Sequence, residues 1–206
     1  MSSDRIVVST HGLAEIEAQF LAAPEQMESA RQRALRKTVS FIGAQARREI
    51  AQAIGAKPKG LQTRVVPRVF QQSAEIRFGL NPIPADLLGT PSQDAGGASV
   101  PGFTFPGAFV ARIYKTAGGA AQDRVWIRLH SKRFDADLYP YNPRKFKPTC
   151  PAELRHRFPV VLARVPLDTQ AVRGIIAAQA EAAGLRLKVV LAQELNYATN
   201  VEGQKA

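Results

Sequence analysis

The chain has 206 residues, 45% of them hydrophobic, and its 28 Lys and Arg against 17 Asp and Glu leave a net charge of +11. That length and apolar content suit one domain with a real core and exclude wholesale disorder. A single cysteine, Cys150, excludes an internal disulfide framework and a multi-cysteine metal site.

No apolar run approaches the roughly 18 residues that a membrane span needs, and MSSDRIVVSTHGLAEIE has neither a basic nor an apolar leader segment. A protein made and assembled in the cytoplasm, with no membrane partner, is expected. The basic surplus implies an anionic neighbour, either nucleic acid or an acidic protein surface. It is spread from Arg5 to Lys205, so no dedicated nucleic-acid arm is visible.

In chain order, residues 1–23 read as an N-terminal arm: a short alternating piece at Arg5–Ser9, either a strand or an extended arm, then a short helix or turn. From Pro24 to Ile54 the apolar positions Leu35, Val39, Ile42, Ala46 and Ile50 recur at steps of three and four, predicting a long helix. Pro24 suits its first turn, Gly55 closes it, and Pro58 prevents resumption. At 1.5 Å per residue it is a rod of about 45 Å, longer than a small sheet, so part of it is expected to pack on another subunit. Arg31, Arg33, Arg36, Lys37, Arg47 and Arg48 decorate its polar sides, where a solvated face competes with contact to phosphate or an acidic partner.

Residues 61–70 and 74–80 read as two strands joined at Gln71-Gln72-Ser73, with Pro67 limiting the first to an edge or to an interrupted strand. A third, irregular strand is expected at Ile83–Leu88. Residues 89–102 read as an extended loop. The centre of the fold is predicted to be a hairpin between Phe103 and Leu129. Ala108, Val110 and Arg112 alternate with Phe109, Ala111 and Ile113; Val125, Ile127 and Leu129 alternate with Trp126, Arg128 and His130. Gly118-Gly119 marks its tip.

Residues 131–157, with four prolines and no sustained period, read as a second extended loop. There Tyr139, Tyr141 and Phe146 interleave with Lys132, Arg133, Arg144, Lys145 and Lys147, a pattern open to single-stranded nucleic acid or to neighbouring subunits. Residues 158–166 return to strand character. A second long helix follows from Thr169 to Tyr197, with LRLKVVL leaving a strand as the competing reading of its second half. The expectation is therefore a single α+β domain over 1–206: an antiparallel sheet of about four to six strands flanked by a long N-terminal and a long C-terminal helix.

Signals of catalysis are weak. His11, His130 and His156 lie in unrelated contexts, and no nucleophile elbow, phosphate loop or metal-ligand spacing is present. Asp135 and Asp137 are the nearest thing to a carboxylate pair, and solvated loop carboxylates beside Lys132 and Arg133 are the commoner case. No catalytic residue, cofactor or metal is expected.

The order of elements, with ALRKTVSFIGAQARR at Ala34–Arg48, KPKGLQTRV at Lys57–Val65, FPGAFVARI at Phe105–Ile113 and ELNYA at Glu194–Ala198, resembles the minor tail protein Z family of tailed bacteriophages over residues 25–200. The resemblance implies a structural protein of the virion at the head-proximal end of the tail, where it would complete the tail and join it to the head. It further implies a ring of subunits, commonly six, bound to other neck and tail proteins and passed by genomic DNA. On that reading Arg33, Arg36, Lys37, Arg47, Arg48, Lys132, Arg133, Arg144 and Lys145 are candidates to face a partner or the DNA channel. Phe103, Phe105, Phe109, Tyr139, Tyr141 and Phe146 are candidates for subunit contact. The alternative is a free, basic nucleic-acid-binding module.

Overall fold

The computed structural model describes residues 3–20, 24–112, 123–136, 139 and 160–202. It is a mixed helix and sheet protein with antiparallel sheets and a long C-terminal helix. Where one sheet of about four to six strands was expected, the described residues form four small sheets, and the chain divides into two compact units.

The first unit comprises Met1–Ala53, Leu61–Leu80 and Thr169–Ala206. Strand β1 (Ser3–Ser9) pairs antiparallel with β3 (Ser73–Gly79), which also pairs with β2 (Val65–Val69), in the order β1-β3-β2. Of strand and extended arm, the N-terminal segment takes the strand, seven residues long, and helix α1 (Ala14–Glu17) follows it. Alternation sends Ile6, Val8, Ala74, Ile76 and Phe78 to one buried face. Pro67, which has no N–H to give, sits on edge strand β2 as expected.

The long helices α2 (Pro24–Ala53) and α3 (Thr169–Tyr197) occupy the predicted spans, and LRLKVVL is helical. Cross-contacts at Arg33 with Glu194, Phe41 with Arg186, and Glu49 with Gln179 advance along one helix while retreating along the other. The pair is therefore antiparallel, and α2 packs along this chain's own α3. Leu35, Ile42, Leu187, Leu191 and Leu195 are fully buried in this unit, and each contributes about 1.5–3 kcal/mol by leaving water. Past the end of α2, Gly55 takes a φ of 67°, the left-handed stop that glycine supplies at least cost.

The second unit comprises Ile54–Gly60 and Asn81–Asp168. Here β4 (Ile83–Pro84) pairs with β11 (Arg164–Val165), and the remainder of the expected third strand is a 3-10 turn, Ala85–Leu87. The expected loop at 89–102 instead holds β5 (Ser92–Gln93) and β6 (Gly97–Val100), which form a meander with β7 (Phe103–Pro106). Asp94 Oδ1 accepts hydrogen bonds from the N–H groups of Gly96 and Gly97 at 2.7 and 2.9 Å and so closes the β5–β6 turn. A Cβ at Gly97 would lie 2.4 Å from the Phe105 carbonyl oxygen, so the strands approach this closely only because the residue is glycine.

The central hairpin pairs as predicted: β8 (Phe109–Ala111) lies antiparallel to β9 (Arg124–Arg128), with Phe109 opposite Trp126. β10 (Val160–Leu162) pairs with the other edge of β9, and Val125, Trp126 and Ile127 are all buried, not alternately exposed, so both faces of β9 are covered. The hairpin tip at 113–122 lies outside the described residues, as do residues 137, 138 and 140–157 of the second expected loop.

Candidate functional site

The basic residues singled out on α2 divide into two sets. Arg33 Nε donates to Glu194 Oε2 at 2.7 Å, and Lys37 Nζ donates to Glu194 Oε1. The Arg33 guanidinium also lies 5.7 Å from the Tyr197 ring centroid, within cation–π reach. Burial alone would push the Glu194 carboxyl up, but the hydrogen bonds and positive charges of Lys37 and Arg33 outweigh it and hold the carboxyl below the ordinary glutamate range. Arg31 is likewise committed, donating twice to Glu17 at 2.6 Å. These cations hold the fold together.

Arg36, Arg47 and Arg48 form the other set. Arg36 and Arg48 are exposed and Arg47 is half-buried, and none of the three has a side-chain partner among the described residues. Arg36 and Arg47 lie eleven residues apart, three turns of helix, and therefore share one outward stripe. Lys132 is exposed, and Arg133 donates from Nη1 to the Gly96 carbonyl at 3.1 Å. Arg144 and Lys145 lie outside the described residues.

Two of the aromatic contact candidates are core residues. Phe105 and Tyr139 are fully buried, their ring centroids 6.1 Å apart, with Phe134 stacked on Tyr139 at 5.9 Å. Phe103 and Phe105, two residues apart in β7, share one face, but Phe103 is the first residue of the strand and stays part exposed, while Phe105 lies further in and is enclosed against Tyr139. Burial and the nearby negative charge of Asp135 push the Tyr139 hydroxyl up to about 12. Phe103 remains 38% exposed and Phe109 half-buried, so these two can still meet a partner. Tyr141 and Phe146, like Asp137 and Cys150, lie outside the described residues.

Several features escaped the sequence reading. Phe41 on α2 and Leu185 and Val189 on α3 are large apolar side chains left 46%, 69% and 59% exposed. Their spacing was available in the sequence, but α3 is apolar on more than one side, which hides the outward stripe behind the inward one. Phe41 is capped by Arg186, whose guanidinium sits 3.6 Å from the ring centroid. On the outer face of the first sheet, the β1–β3 register sets Arg5 directly opposite Arg77, beside a cavity of about 420 Å³ that Ser3, Asp4 and Glu75 also line. Like charges so placed oppose folding slightly.

Among the described residues no group of three or more His, Cys, Asp or Glu side chains is placed to hold a metal ion, and no helix is long and apolar enough to cross a membrane. No protein-family model matches the chain, and no curated protein or solved structure is significantly similar to it.

Proposed function

We propose that this chain is a structural subunit of a tailed bacteriophage, acting at the head-proximal end of the tail. There it would serve as a tail completion or terminator protein that joins tail to head, in a ring of six subunits around the DNA conduit. The resemblance in sequence order over residues 25–200 supports the phage assignment. The observation that carries an assembly role is surface left unspent after folding: Arg36, Arg47 and Arg48 without partners among the described residues, and Phe103, Leu185 and Val189 exposed. Interfaces between subunits favour aromatics and arginine, and exposed apolar surface of this kind marks contact sites.

The test is charge reversal of Arg47 and Arg48 together, to Glu, in a phage carrying this chain. Both side chains lie outside the buried core, so the purified variant keeps its melting temperature while heads and tails fail to join. Virions of unchanged number and infectivity would overturn the assignment. A basic nucleic-acid-binding module is the second reading, favoured by the same free arginines. It predicts that the isolated chain binds duplex DNA with a steep salt dependence, each neutralised phosphate adding about 0.9 to the slope of log K against log salt.

A further inference from the structure

Helix α3 carries a second apolar seam. Ile175, Ala178, Ala182, Leu185, Val189 and Ala192 follow one another at alternating steps of three and four, the spacing of a coiled-coil face. None of the six is buried, and they lie on the side of α3 away from Val172, Ile176, Leu187 and Leu191, which face the interior of the unit. A helix that is apolar on two sides is one built to be covered on both. Among the described residues, the second side stays open.

The charges along its rim identify the occupant. Glu181 and Lys188 are both exposed, have no partner among the described residues, and stand seven residues apart, so they share one flank of the seam. Two parallel helices related by a two-fold axis bring opposite flanks together, whereas two antiparallel helices bring like flanks together. An antiparallel copy centred between Gly184 and Leu185 therefore sets Glu181 against Lys188 of the second copy, twice over. The same placement brings Leu185 beside Leu185 of the second copy, one residue apart along the axis. With alanine at 178, 182 and 192, the axes can approach to about 8 Å, the near limit for packed helices.

We infer that two copies of this chain associate through antiparallel packing of α3 on α3, registered by the reciprocal Glu181 and Lys188 pairs. The seam from Ile175 to Ala192 is about 27 Å long, a small interface, so the pair is reversible and concentration-dependent. It is a two-fold contact, distinct from the head-to-tail contact that closes a ring. It does not rest on the phage assignment and holds for the isolated full-length chain.

Sedimentation equilibrium of that chain tests it. The wild type exchanges between monomer and dimer, and Leu185→Glu remains monomeric. Glu181→Lys or Lys188→Glu alone weakens the dimer about fivefold, because two exposed ion pairs are lost at once. The combined Glu181→Lys/Lys188→Glu variant restores wild-type association, which no general effect on folding would do. All four substituted forms melt with the wild type, since the positions are exposed. A wild type that stays monomeric at every concentration, an assembly that Leu185→Glu leaves intact, or a double variant no tighter than the single ones would each overturn the inference.

Discussion

Glu194, in the seam between α2 and α3, and Asp86, in the 3-10 turn of the second unit, are matched in burial and opposed in electrostatics. Each carboxylate is 7% exposed and faces an arginine that is 30% exposed. Glu194 lies 2.7 Å from Arg33 and is also bonded by Lys37, and its carboxyl is held below its ordinary range. Asp86 lies 3.5 Å from Arg124, with its Oδ1 buried and without a hydrogen-bond partner among the described residues. Burial there outweighs the arginine, and the carboxyl is raised. Burial sets the cost of a charge, and the number and closeness of donors decide whether it is met. The helical seam meets it and consumes Arg33 and Lys37 in doing so; what α3 leaves over is apolar surface.

The largest effect expected from breaking this pattern lies in the aromatic core. Phe105→Ala should cost about 3–5 kcal/mol in denaturant unfolding, whereas Phe103→Ala, two residues along the same strand, should cost under about 1 kcal/mol. Equal losses would mean that Phe103, the first residue of β7, is enclosed as fully as Phe105.

Neutralising the two carboxylates should separate them next. Glu194→Gln removes charge-assisted bonds to two cations and should cost about 2 kcal/mol. Asp86→Asn removes a charge that its surroundings disfavour and should be neutral or slightly stabilising.

Acidity should resolve the same contrast with opposite signs. Glu194, depressed in the folded state, stabilises the fold above its ordinary pKa, and that contribution disappears as the pH falls through its lowered folded value. Asp86, raised in the folded state, contributes most below its ordinary pKa, and that contribution is lost as the pH rises through its raised value. Melting curves of Glu194→Gln and Asp86→Asn against pH should therefore diverge from the wild type in opposite directions. Parallel curves would refute the assignment of these shifts.

The smallest effect belongs to the outer sheet face. Arg77→Glu turns a like-charged cross-strand pair with Arg5 into an opposite one and should add about 0.5 kcal/mol, measurable as a raised denaturation midpoint.

Much of this architecture was legible in the residues. The spans of α2 and α3 follow from apolar steps of three and four bounded by Pro24, Gly55 and Asp168, and the β8–β9 pairing follows from period-two alternation. What was not legible required partners distant in the chain. Phe105 became core because Tyr139 packs against it. β5 and β6 are short and rich in glycine and serine, so their sequence has the composition of a loop. For the candidate site, the positions of the arginines along α2 were plain, but which of them were already spent depended on Glu194, 161 residues beyond Arg33.

The outward seam of α3 is tested most directly by placing a single cysteine at its centre, after Cys150 is replaced by serine. About the proposed axis, position 185 lies one residue from its own symmetry copy, an axial offset of about 1.5 Å, while position 189 lies nine residues away, about 13 Å. Leu185→Cys should therefore oxidise to a covalent dimer, and Val189→Cys, equally accessible on the same face, should not. Equal cross-linking at both positions, or none at 185, would contradict it.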